Sequence, residues 1–250
     1  TSTKTATLIP TETPIPTLAR GDTRIREKDG MEQVYIPEGN FAMGSNYGQA
    51  DEQPIHSVWL DAYWIDKYEV TNAQYALCVA DGACEYPDDL SSFTHGNYFG
   101  SEKYKDYPVI YVSWDDSKNY CEWAGSRLPT EAQWEKAARG DEDTRTFPWG
   151  KLINGSLANF CDSNCPFDWK ITSEIDGFED TAPVGFYPTG VSPYGALDMA
   201  GNVCEWVFDW YQKDYYNSQE TWSNQSGPAT GTKRILRGGS WYDSTYYLST

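Results

Sequence analysis

The sequence predicts an α+β fold with short strands, three helices and much irregular chain. Three observations carry that prediction. Three Ser/Thr residues each stand three positions ahead of a Gln or Asp, at the head of a helix-like segment. Several short runs are rich in β-branched and aromatic residues. Between 141 and 202 regular periodicity disappears into Gly, Pro, Asn and Asp. No internal repeat is visible.

In chain order, residues 1–17 hold seven Thr and three Pro. That composition cannot pack a core and reads as an extended stalk or linker, assigned to 1–29. The chain opens on Thr and reads as part of a longer product, in which a membrane anchor or a kinase domain upstream is expected. The globular domain is assigned to 30–250. EQVYIP (32–37) reads as a strand, and FAMG (41–44) follows as another. Residues 57–70 read as one or two strands. Thr71 with Gln74 starts a helix over 72–80, and Ser113 with Asp116 starts a second over 114–124 that stops at Gly125. Thr130 with Gln133 starts a third over 131–139, with Pro129 before it and Gly140 after it. Trp134, Ala137 and Ala138 share one face of that helix, so it packs on a core. Residues 202–210 and 234–241 read as strands.

Composition limits function. With 19 Lys plus Arg against 37 Asp plus Glu, the formal charge is −18. Such a surface repels a phosphate backbone, so sequence-independent nucleic-acid binding is excluded. No apolar run approaches the ~18 residues of a membrane span. His56 and His95 are the two histidines, so no three-imidazole site exists. Aromatic residues make up 16% of the chain, with 11 Trp and 19 Tyr, so the core is expected to be built of slabs with polar tips. Six cysteines form two short-loop pairs, Cys78 with Cys84 and Cys161 with Cys165, with Cys121 and Cys204 left over. Neither pair has CxxC spacing, so disulfides fit better than zinc, and disulfides imply an oxidising, extracellular or cell-surface setting. Cys121 and Cys204 are either buried thiols or a third bridge.

Oxygen-rich motifs mark candidate sites. In DMAGNVCEW (198–206), Asp198 and Glu205 flank a turn at Gly201 that aims carbonyls inward, a donor set suited to Ca²⁺. LANF (157–160) and EIDGF (174–178) offer Asn159 and Asp176 beside Gly177. Taken alone, both read as ordinary turn chemistry and solvated carboxylates. Glu131 and Glu135, four apart on the third helix, read as a solvated face. The paired glycines of RGGSW (237–241) mark a bulge or a close backbone approach, and Ser240 after them is a pocket candidate. As a nucleophile it would need His56 or His95 as base.

RLPTEAQWEKAARG (127–140), FPWG (147–150), LANF, DGFEDTAPVGFYP (176–188), PYGALDMAGNVCEW (193–206) and LRGGSW (236–241) follow one another in order. Together they resemble the formylglycine-generating enzyme, or sulfatase-modifying factor, family over about residues 31–250. The resemblance implies a C-type-lectin-like fold and two calcium sites. One site matches Asn159, the carbonyl of Phe160, Asp176 and the carbonyl of Phe178. The other matches Asp198, the carbonyls of Gly201 and Val203, and Glu205. Active members of the family oxidise a sulfatase cysteine to formylglycine with oxygen and a Cu(I) held by two thiolates. Those thiolates fall three and eight residues after the serine of GGS, where this chain has Asp243 and Leu248. A carboxylate is a hard ligand and leucine has no donor atom, so copper is not expected. Cys204 stands where active members usually carry an active-site Trp. Non-haem iron relatives need a histidine-rich motif that two scattered histidines do not supply. The resemblance also implies a closing strand beyond RGGSW, so the domain reads as truncated at its C-terminus. The expected function is a calcium-stabilised extracellular module that binds a peptide or protein ligand, with Ser240 and Asp243 in its pocket. The alternative is a formylglycine-generating oxidase.

Overall fold

The structure, a computed structural model, describes residues 17–46, 48–141, 145–218 and 221–250. Most of the Thr/Pro-rich stretch therefore lies outside the described residues. Three small sheets carry the strands. β1 (Thr23–Ile25), β2 (Glu32–Ile36) and β5 (Tyr63–Asp66) form an antiparallel sheet in the order β1-β2-β5. β3 (Gly39–Met43) pairs antiparallel with β4 (His56–Leu60), and β7 (Thr221–Ser223) joins β4 in parallel. β6 (Glu205–Trp210) and β8 (Arg234–Arg237) form the third sheet. The 57–70 run thus holds two strands, broken at Asp61–Ala62.

Packed structure begins before Gly30, where the sequence places the domain boundary. β1 pairs with β2 in register Thr23 to Val34. Arg26 then bridges Asp29 at 2.6 Å and Asp66 at 2.8 Å. The β1–β2 pairing and the Arg26–Asp66 bridge are long-range contacts around a short, exposed strand, and local composition carries no signal of them.

All three helices start where their side chains can satisfy the first free amides. They are α1 (Asn72–Ala80), α2 (Trp114–Trp123) and α3 (Glu131–Arg139). Thr71 with Gln74, Ser113 with Asp116 and Thr130 with Gln133 each close a reciprocal capping box. α3 is the centre of the fold. Trp134, Ala137 and Ala138 are fully buried with Val34 and Ile36 of β2, Val207 of β6, and Tyr194, Ala196 and Met199. Burying that indole contributes about 3–5 kcal/mol.

The opposite face of α3 is not solvated, which corrects the sequence reading of Glu131 and Glu135. Glu135 accepts from the Gly44 amide at 2.8 Å and from Arg139 at 2.6 Å. Arg237 of β8 reaches Glu135 at 3.1 Å and Glu131 at 3.8 Å. Lys136 is fully buried, with its ammonium on the carbonyls of Pro37 and Gly39. Elements far away in sequence supply these partners, so a charged face in a linear pattern became a buried ionic seam.

The predicted strand at 234–241 ends at Arg237, because Gly238 (φ 89°) and Gly239 (φ 67°) are left-handed. A Cβ on Gly239 would lie 2.7 Å from the Tyr247 carbonyl, so the paired glycines do mark a close backbone approach. The predicted strand at 202–210 starts only at Glu205, because Asn202 (φ 58°) closes a turn.

Replacing Trp134 by Ala removes the slab that joins the first and third sheets. A loss of about 3–5 kcal/mol is expected in urea unfolding, well above an exposed control such as Leu152→Ala. Equal losses for the two variants would contradict this placement of the core.

Candidate functional site

The irregular chain from 145 to 204 wraps the end of the α3 core and carries the candidate residues. Its first organising group is the Asp176 carboxylate, which is 6% exposed. One oxygen accepts from the Phe160 amide at 2.9 Å and the other from the Phe178 amide at 2.9 Å. Phe160, Asp176 and Phe178, three of the four residues named for the first cation site, therefore meet at one place, through the amides of Phe160 and Phe178. Asn159 is 1% exposed; its amide nitrogen donates to the Asp180 carbonyl and to Asn202. Its side-chain oxygen is buried and has no hydrogen-bond partner among the described residues. A buried oxygen without a donor fits a cation better than it fits an apolar wall.

The second site is built by backbone conformation. Asp198 (φ 55°), Gly201 (φ 87°) and Asn202 (φ 58°) are all left-handed, which folds DMAGN into consecutive tight turns. A Cβ on Gly201 would lie 2.2 Å from the Asn159 carbonyl, so only glycine lets the two sites approach. The Asp198 carboxylate accepts from the Gly185 amide at 2.5 Å. Glu205 accepts from the Trp134 indole at 3.0 Å and is not on a solvated strand face.

Burial raises the proton affinity of all three acids. Asp176 is pushed up to about 7, with the charge of Asp162 adding to burial. Asp198 is pushed up to about 6 by burial alone. Glu205 is pushed up to about 8, mainly by burial and also by the charge of Asp198. Among the described residues no three His, Cys, Asp or Glu side chains converge on one metal position. The donors that the resemblance implies at both places are one or two acidic or amide side chains with main-chain carbonyls. That set suits a hard, flexible cation and does not suit zinc.

Four residues at these sites were given no role by the sequence, although Asn202 and Asp180 lie inside DMAGNVCEW and DGFEDTAPVGFYP. Glu69 is buried and accepts from the Val203 amide at 2.9 Å and from Asn202 at 2.6 Å. Burial first, and then the charges of Asp198 and Glu205, raise its pKa well above the ordinary value. Asn202 joins Glu69, Asn159 and Ala182. Asp162 accepts from the Asp176 amide, and Asp180 accepts from Ser92 and Thr94.

Around the second pocket the sequence candidates also meet. Ser240 donates to Asp243 at 2.7 Å. Cys204 lies beside both and is exposed at the surface; the protein packed around its sulfur raises the thiol's pKa, the charge of Asp243 adds to this, and the Ser240 hydroxyl opposes it. Leu248 is fully buried among Phe147, Ala158, Phe160 and Ala200. Neither histidine serves Ser240: His56 stacks on Tyr216 and His95 on Tyr104. The Asp243 carbonyl accepts from the Cys161 amide, docking the Cys161–Cys165 loop against this face. Phe167 and Trp169 of that neighbourhood stack 4.7 Å apart and meet Tyr242, while Phe93 packs on Phe167 and Trp241. Cys78 and Cys84 are bridged as well, and Cys121 and Cys204 are free.

The model of the sulfatase-modifying factor enzyme 1-like domain matches residues 20–249. The chain belongs to that family. Similar members include the formylglycine-generating enzyme of Streptomyces coelicolor, 36% identical over 86% of this chain and 80% of that protein. The serine/threonine-protein kinase pkn1 of Chlamydia caviae is 38% identical over 84% of this chain. The chain spans 33% of the length of that kinase. Among solved structures, PvdO from Pseudomonas aeruginosa superposes with a TM-score of 0.73 at 25% identity, covering 93% of this chain and 91% of the other. The family's mixed architecture of few helices and short strands is the one described above. Among the described residues no helix is long and apolar enough to cross a membrane.

In an unfolded chain Asp176, Asp198 and Glu205 ionise near 4. In the fold they hold their protons to between about 6 and 8. The unfolded state therefore binds fewer protons than the native state across that window, and stability falls as pH rises through it. Asp29 shifts downward under the hydrogen bonds and charge of Arg26, which outweigh its burial, and so acts below this window. In chelator, the melting temperature is expected to be highest near pH 5 and to decline toward pH 8. A melting temperature that rises over that range would contradict the burial of these acids.

Proposed function

We propose that this family member is a calcium-ordered, non-oxidising module that binds a peptide or protein ligand outside the cell. The observation that carries the reading is the pair Asp243 and Leu248. Asp243 is a hard carboxylate already held by Ser240, and Leu248 is a buried hydrocarbon. No two thiols stand at this pocket: Cys204 is the one free thiol beside Ser240 and Asp243. The residues present do not fit a two-thiolate Cu(I), and no oxidation step is drawn through it.

Calcium fits better. The Asn159 and Asp176 side chains with the Phe160 and Phe178 carbonyls would hold one ion. The Asp198 and Glu205 side chains with the Gly201 and Val203 carbonyls would hold the other. Bound there, the ions supply positive charge that lets the carboxyls ionise and keeps an otherwise irregular segment in one conformation. The orphaned Asn159 oxygen and the three proton-holding acids support this assignment.

The ligand face is Ser240, Asp243 and Cys204 with the aromatic group Phe93, Phe167, Trp169, Trp241 and Tyr242. Phe93, Trp169 and Tyr242 are about half exposed, which is unusual for rings that pack on one another. Two disulfides support an oxidising setting. The kinase named among the relatives supports a role as the ligand-reading part of a signalling protein.

Two measurements test the proposal. At a hundredfold excess over Kd, calcium contributes about 2.7 kcal/mol per site. For a domain of this size that is about 5–10 °C in melting temperature. The gain should shrink on acidification toward pH 5, and Asp176→Asn and Glu205→Gln should each remove part of it. Calcium-independent melting would refute both sites. Separately, the chain with Cu(I) and oxygen is expected to leave a cysteine-containing sulfatase peptide unchanged in mass. Conversion of that cysteine to formylglycine would overturn the non-oxidising reading.

A further inference from the structure

Asn154 and Gly155 make the one Asn-Gly step in the chain. Asn154 opens a turn in which its carbonyl accepts from the Leu157 amide at 3.1 Å. Asn154 is exposed, whereas Gly155 is buried. A Cβ on Gly155 would lie 2.1 Å from the Ile175 carbonyl, so only glycine fits there. Covalent connectivity alone keeps the Gly155 nitrogen within five-membered-ring reach of the Asn154 side-chain carbon.

The groups around this pair match the needs of a ring closure. The Asn154 side-chain oxygen accepts from the Ser156 amide at 2.9 Å and from the Ser156 hydroxyl at 2.6 Å. Two donors on one carbonyl oxygen draw electrons from its carbon and stabilise the charge that an attack would place on the oxygen. The Gly155 amide donates to a Glu174 carboxylate oxygen at 3.1 Å, an acceptor able to take the proton of the attacking nitrogen. No hydrogen bond among the described residues holds the Asn154 side-chain nitrogen, so the leaving group is unrestrained. Asn224 shows the contrast: it is exposed too, but both ends of its side-chain amide are held by Asp61.

We propose that Asn154 is a self-modifying site. The Gly155 nitrogen bonds to the Asn154 side-chain carbon, and the bond from that carbon to the side-chain nitrogen breaks. The Gly155 amide proton leaves along its hydrogen bond to Glu174 and departs with the leaving nitrogen as ammonia. Water, the only co-reactant, then opens the cyclic imide at either carbonyl to give aspartate or isoaspartate. The chain gains one negative charge, and isoaspartate adds a backbone carbon where Gly155 has no slack against Ile175. The step is independent of the calcium and ligand readings.

The full chain, kept folded in calcium-containing buffer near pH 8, is sampled over time and read by peptide mass. The peptide holding Asn154 is expected to gain one mass unit, split between two elution times for aspartate and isoaspartate. A synthetic peptide of residues 150–160 carries the same Asn-Gly step without Glu174, and should react at least threefold more slowly than the folded chain. Ser156→Ala and Glu174→Gln should each slow the folded chain at least threefold. If either variant fails to fold, the native chain against the peptide still decides. No mass gain in the folded chain, a rate at or below that of the peptide, or an unchanged rate in a folded variant would each overturn the proposal.

Discussion

Asn202 ties together four segments that lie far apart in the chain. Its side-chain oxygen accepts from Asn159 and from the Ala182 amide, and its side-chain nitrogen donates to Glu69 and to the Ala182 carbonyl. Its backbone amide donates to the Asn159 carbonyl, and its own carbonyl accepts from Trp241. One 1%-exposed amide thus fixes the loop of the first cation site, the turn of the second, the strand-to-helix segment at Glu69 and the start of the Ser240 pocket. A buried amide that satisfies so many partners is costly to replace, because each partner would be left in an apolar setting. The left-handed conformation of Asn202 is what lets side chain and backbone serve opposite sides at once.

The electrostatics of the fold divide into two regions with different solutions. On α3, negative charge is met by guanidinium: Glu131 and Glu135 face Arg237, and Glu135 also holds Arg139. Among the described residues no guanidinium or ammonium is hydrogen-bonded or ion-paired to Asp176, Asp198 or Glu205. Burial raises the proton affinity of Glu69, Asp198 and Glu205, the charge of Asp198 adds to it at Glu69 and Glu205, and their named partners are amides, an indole and main-chain N–H groups. Neutral donors orient a carboxylate without cancelling its charge. The buried arginines Arg139 and Arg237 thus meet the acids of α3, and the acids of the candidate site are met by neutral donors. That contrast is a stronger argument for an ion than the motif spacing, since it comes from the surroundings of the oxygens.

Local chemistry was legible in the sequence wherever one segment decides the outcome. The three capping boxes, the Trp134 face, the Gly238–Gly239 approach and the two short cysteine loops all depend on residues within a few positions of one another. The candidate residues Asn159, Asp176, Asp198 and Glu205 were readable through the resemblance, and Ser240 with Asp243 through the same register. What stayed hidden needed a partner from elsewhere. β1 is three exposed residues whose pairing is decided by β2. Glu135 reads as solvated until Gly44, just past β3, and Arg237 of β8 arrive. Glu69 sits in an ordinary strand-to-helix junction, and its burial follows from the 198–203 turn folding over it.

The order of dependence runs from α3 outward. Trp134 is packed against both the first and third sheets, and the same indole holds Glu205 by its N–H. The site's second carboxylate is therefore oriented by the core, whereas Asp198 is oriented by Gly185 of the irregular segment. A cation between them would join a rigid half to a half with no regular structure of its own. The Ser240 pocket follows the same rule: Gly201 donates to the Gly238 carbonyl, and Trp241 to the Asn202 carbonyl, so the pocket floor moves with the turn. A ligand on Ser240 or Asp243 would thus rest on the same hydrogen-bonded turn that carries Asp198 and Gly201.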